Sequence, residues 1–126
     1  MGPNSALSEK LCDAVAAGDA GALREICAPG MQWIQNGAPA VDLEALIRTS
    51  LAVRDVLVRF RYANAMRSDT ADGFVEEHEV RGTLPDGTEC CISACIVARV
   101  EGGRVTALRE YFDTVAAAGL RKALSA

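Results

Sequence analysis

Arg104-Val105-Thr106-Ala107-Leu108-Arg109-Glu110-Tyr111-Phe112-Asp113 follows a Gly102-Gly103 pair and reads as a β-strand leaving a tight turn. Strand side chains alternate between faces, so Thr106, Leu108, Glu110 and Phe112 share one side. Glu110 thus stands in a row otherwise fit for burial. A carboxylate there must find a partner, hold a proton or face a wet cavity. Such a strand can carry one polar point of a small-molecule site.

Upstream of it the chain has the pattern of a strand meander. In residues 90–100, Ile92, Ala94, Ile96 and Ala98 fall on one face. Asp86-Gly87 supplies the positive φ of a hairpin tip. Residues 74–83 form another long strand, beyond a turn at 68–73. Before that turn, Val56, Val58, Phe60 and Tyr62 alternate with Leu57, Arg59 and Arg61 as a half-buried strand does.

The first half reads as helical. Leu11, Ala14 and Val15 recur at helical spacing within residues 7–27, and Gly18-Asp19 interrupts them, so a helical hairpin is expected with Asp19 capping its second piece. Pro29-Gly30 is expected to end that piece. Residues 31–37 read as a short strand. Asp42 caps a further helix through Leu43, Leu46, Ile47 and Leu51. Residues 114–124 read as a closing helix. Helices first, then strands, imply an α+β fold with helices on one face of a curved, mostly antiparallel sheet. Residues 1–6 read as a disordered leader, and 7–126 as a single domain.

Composition narrows the function classes. With 13 basic and 17 acidic residues the formal net charge is -4, which argues against a nucleic-acid partner. Nothing reads as a membrane span or a secretory signal, which makes the cytoplasm the default location. The five cysteines, Cys12, Cys27, Cys90, Cys91 and Cys95, include no Cys-x-x-Cys pair, and adjacent strand cysteines point apart. They read as small buried hydrophobes, and no metal or cofactor is expected. Phosphate-loop, dinucleotide and nucleophile-elbow motifs are absent.

An acid/base set remains. On residues 74–83, Glu77, Glu79 and Arg81 share one face, while Glu76, His78 and Val80 share the other. Phe74 favours the second face as the inner one and Val75 the first. On the first reading two or three carboxylates meet Glu110, and their proton affinities are pushed apart. On the second, His78 faces Glu110. The bland alternative is a solvated acidic strand whose carboxylates pair with Arg59, Arg61 and Arg81. Glu76 in particular reads as solvent-facing.

Taken together, residues 7–124 resemble the SnoaL-like branch of the nuclear transport factor 2-like superfamily, above all in the Gly103-Arg104-Val105-Thr106 turn leading to Arg109-Glu110-Tyr111-Phe112-Asp113. The resemblance implies a cone, a bent sheet wrapped around helices with a pocket inside, and a homodimer through the sheet's outer face. Within the superfamily, the limonene epoxide hydrolase family is similar over Leu84-Pro85-Asp86-Gly87 and Leu108 to Asp113. Its Tyr-Gln-Asn falls on Ile34-Gln35-Asn36. The aspartates of its Asp-Arg-Asp set fall on Glu79 and Glu110, and the arginine on Glu77. Steroid isomerases and polyketide cyclases of the superfamily work with a carboxylate base.

The expected site is therefore an apolar pocket lined by Ile34, Ile92, Ala94, Leu108 and Phe112, with Trp33 in the adjoining core. Asn36, Glu79 and Arg81 are its polar points beside Glu110. Glu110 is the expected base and Glu79 or His78 its proton partner, acting without a cofactor on a small hydrophobic molecule by isomerisation, cyclisation or epoxide hydrolysis. The alternative is a non-catalytic binding protein for an apolar ligand.

Overall fold

In the computed structural model, which describes residues 2–126, the chain runs α1 (Pro3–Ala17), α2 (Ala20–Ile26), β1 (Cys27–Gln35), α3 (Leu43–Val56), β2 (Val58–Asp69), β3 (Gly73–Thr83), β4 (Glu89–Glu101), β5 (Arg104–Phe112) and α4 (Ala118–Leu124). The strands form one five-stranded sheet in the order β1-β5-β4-β3-β2. All neighbours are antiparallel except β1, which pairs parallel to β5 at the sheet edge. The α+β order is the expected one.

Local chemistry explains most boundaries. Asp19 and Asp42 accept the Ala22 and Ala45 amides, capping α2 and α3 as expected. Gly102 and Gly103 both take positive φ in the turn before β5, and Gly87 does so at the hairpin tip. At Gly73 a Cβ would lie 2.0 Å from the Ala98 carbonyl oxygen, so only glycine lets β3 start this close to β4.

Three expectations are revised. Helix α1 begins at Pro3, so the supposed leader is helical from there on, and Met1 lies outside the described residues. A side chain distant in sequence explains it. Asp69, at the end of β2, accepts the Asn4 and Ser5 amides at 3.0 and 2.9 Å, satisfying donors that would otherwise be orphaned. Second, β1 starts at Cys27 and carries Pro29-Gly30 within it. Edge position and a register shift between Cys27 and Gln32 accommodate the proline. Third, residues 114–117 form turns before the short α4.

The helices pack on one face of the sheet. One apolar cluster joins Leu11, Leu23, Met31, Trp33, Leu46 and Phe74 with their neighbours. A smaller one joins Leu57, Leu84, Cys90, Ile92, Ala117 and Leu120. Among the described residues no helix is long and apolar enough to cross a membrane.

Candidate active site

Alternation along β3 decides the site. Phe74, Glu76 and His78 are buried, whereas Glu77 is exposed. Glu76 has no exposed surface, a costly place for a carboxylate unless every lone pair is used. They are used. Oε1 accepts Ser8 Oγ at 2.8 Å and Arg67 Nε at 2.5 Å. Oε2 accepts Cys12 Sγ at 3.0 Å and sits 2.5 Å from His78 Nδ1. Ser8 and Cys12 are one helical turn apart on the buried face of α1, which aims both at β3. Burial works against ionisation of Glu76, but hydrogen bonds from His78, Cys12 and Ser8 outweigh it and hold its pKa at about 2.

An ionised Glu76 fixes the imidazole. Facing a carboxylate, Nδ1 carries a proton, so in the neutral imidazole the lone pair lies on Nε2. Among the described residues Nε2 is buried and has no hydrogen-bond partner. The ring packs against Tyr62, with centroids 4.3 Å apart. Burial raises the Tyr62 pKa, so it stays a neutral phenol. Burial, with Glu76 beside it, likewise keeps Cys12 a thiol.

His78 forms part of the wall of a cavity of about 500 Å³, within the roughly 300–1,000 Å³ usual for small-molecule pockets. Glu110 lies on the same wall. Gln35, its register partner on β1, donates Nε2 to its Oε1 at 2.9 Å. Burial raises the Glu110 pKa, while the Gln35 hydrogen bond and the nearby His78 pull it down. Asn36 turns the chain out of β1 with φ 48°, which asparagine tolerates. Its amide clasps the end of β5: Oδ1 accepts the Phe112 N–H at 3.0 Å.

Of the expected site residues, His78, Glu110, Asn36, Trp33, Ile92, Leu108 and Phe112 line this cavity. Four others do not, and the strand period is the reason. Glu77 and Glu79 fall on the outer face of β3, so of the two readings the one that gathers two or three carboxylates in the cavity does not hold. Glu79 instead accepts Arg81 and Asn64 at 3.0 and 2.7 Å. Arg81 is tied up in that outer-face pair, and Ile34 opens onto an outer groove with Arg99 and Arg109. A register one residue earlier than the resemblance suggested puts Glu76 and His78 where Glu77 and Glu79 were expected. Sequence reasoning did not find Glu76, Cys12 or Tyr62, and reached Gln35 only through the resemblance. The available signal was the Ser8/Cys12 spacing, polar side chains on an otherwise apolar helix face.

Among the described residues, Cys12, Glu76 and His78 are also the one group of donors close enough to hold a metal ion, with ligand atoms within 4.8 Å of one another.

A model of the SnoaL-like domain matches residues 8–108. The chain belongs to this family. Solved structures agree on the fold of the SnoaL-like chain. A SnoaL-like proposed polyketide cyclase from Jannaschia sp. CCS1 is 20% identical, with TM-score 0.80 over 98% of this chain and 92% of that one. IdmH, a proposed polyketide cyclase from Streptomyces antibioticus, is 19% identical, with TM-score 0.80 over 98% and 99%. A protein with a ketosteroid isomerase-like fold from Catenulispora acidiphila, solved with trimethylamine, is 14% identical, with TM-score 0.72 over 83% of each chain. No curated protein sequence matches the chain significantly.

Proposed function

We propose that this SnoaL-like protein is a cofactor-independent acid/base catalyst acting on a small hydrophobic molecule, with His78 as base and Glu110 as its proton-donating partner. One observation carries the reading: His78, a cavity-lining residue, has Nδ1 held by an ionised Glu76 while its buried Nε2 has no partner among the described residues. A carboxylate-oriented imidazole is a general-base arrangement. Glu110, biased by burial toward its neutral form, can give a proton to a developing oxyanion. Glu79, on the outer face, has no part in it. The proposed cyclases among the structural relatives support a cyclisation or isomerisation over epoxide opening.

A base can be tested before its substrate is known. 5-Nitrobenzisoxazole opens to a coloured phenolate when a positioned base removes one proton. His78→Gln should lower that rate about 100-fold or more while circular dichroism is unchanged. An unchanged rate overturns the assignment. A panel of enolisable ketones and epoxides then sorts the reaction class.

The apolar walls favour a second reading, a protein that binds an apolar ligand without turning it over. An apolar ligand retained through purification, with no catalysis of the nitrobenzisoxazole opening, supports that reading. The outer sheet face, where Met66 and Tyr111 are exposed, is the surface for a homodimer, which sedimentation equilibrium would detect.

A further inference from the structure

We propose that Cys12, Glu76 and His78 form a binding site for a thiophilic divalent transition ion such as Zn²⁺ or Co²⁺, reached through the cavity and exclusive with the base function of His78. Three donor types converge on one point. Glu76 Oε2 lies 3.0 Å from Cys12 Sγ and 2.5 Å from His78 Nδ1. What joins these atoms now is two protons, one on sulfur and one on nitrogen. An ion with bonds of about 2.0–2.3 Å would replace both, and needs the donors to open to roughly 3.3–3.8 Å apart.

The surroundings suit this. Ser8 and Arg67 hold the other carboxylate oxygen, Oε1, so Oε2 stays aimed at the site, as outer-sphere partners do around metal carboxylates. Cys12 and His78 both line the cavity, giving the ion a way in and leaving a coordination position for a water or ligand. The donor set selects the ion. One sulfur, one imidazole and one carboxylate oxygen suit Zn²⁺ or Co²⁺, whereas Ca²⁺ and Mg²⁺ require oxygen ligands that this site lacks. Arg67 sets a limit, because its guanidinium opposes further positive charge. An ion that displaces the thiol proton adds only one net charge.

The proton count is specific. Binding releases the Cys12 thiol proton. The imidazole keeps one proton but moves it from Nδ1 to Nε2, so Nε2 changes from acceptor to donor. An ion here therefore silences the base. That consequence rests on the proposed role of His78; the binding itself does not.

Titration of the metal-free protein with Co²⁺ tests it. The expected result is one ion per chain, a sulfur-to-cobalt charge-transfer band, one proton released per ion and no competition from Mg²⁺. Cys12→Ser should remove the band, and His78→Ala should weaken binding about tenfold or more. Cys91→Ser, at an exposed cysteine, should change neither. Should the Cys12 and His78 variants misfold, X-ray absorption on the cobalt-loaded wild type replaces them, with one sulfur and one imidazole nitrogen expected around the ion. Absence of the band, binding unaffected by Cys12→Ser, or no sulfur at the ion overturns the site. With 5-nitrobenzisoxazole, Zn²⁺ should suppress turnover and a chelator restore it. Co²⁺ binding without any turnover sinks the base assignment and leaves the metal site standing.

Discussion

Glu76 shows how little a single side chain says about itself in sequence. It stands in a run of acidic residues, and its partners Ser8 and Cys12 lie 68 and 64 positions away. Both faces of β3 offer an apolar residue near the start, Phe74 on one and Val75 on the other, so alternation alone leaves the phase open. Glu110 was legible because Leu108 and Phe112 flank it on one face. The two carboxylates should also respond oppositely to removal of charge. Glu76→Gln leaves Arg67 with only the longer pair to Glu9 and the imidazole without its orienting anion, a loss on the order of 3 kcal/mol in urea unfolding. No loss of stability would mean that Glu76 is not an ionised partner. For Glu110, ionisation in the folded chain carries a cost. Its raised pKa means that ionisation is easier in the unfolded chain, so wild-type stability falls as pH rises through that pKa. Glu110→Gln keeps an acceptor for Gln35 and removes this loss. Its melting temperature should exceed the wild type's at pH 8 and match it near pH 4. A variant that melts lower at pH 8 contradicts the assignment.

Among the elements, those with local signals were readable. The Asp19 and Asp42 caps, the Gly102-Gly103 turn and the Asp86-Gly87 tip all need only neighbours in sequence. The start of α1 and the start of β1 depend on distant partners, Asp69 for one and β5 for the other, and both were placed too late. Asp69 accepts the Ser5 hydroxyl as well as two amides, and the first of these holds its pKa below the usual aspartate range. Asp69→Ala should speed amide exchange in the first turn of α1 while leaving α3 unchanged; equal protection in both would show that the helix start does not depend on it. Gly73→Ala forces the β3 backbone off Ala98 and should cost about 3 kcal/mol. A melt within error of the wild type would show that the strands can part without cost.

At the scale of the molecule, the fold was legible because helix-then-meander order with matching turns admits few architectures. The cavity's chemistry was not, because it is assembled from α1, β1, β2, β3 and β5 together. Ala94 lies on the cavity wall between the two apolar clusters. Ala94→Phe should fill the space, abolish binding of an apolar fluorescent probe and cost no more than about 3 kcal/mol of stability. Undiminished probe binding would place the ligand elsewhere. The parallel pairing of β1 with β5 has a kinetic consequence. Gln35 meets Glu110 at a sequence separation of 75, and no hairpin can bring them together. Closing so long a loop is entropically expensive and is rewarded only when the last strand docks. The edge strand is therefore the late step in folding. Until it docks, Trp33 and the apolar side of α3 remain uncovered, and chains halted at that stage are the ones prone to aggregate.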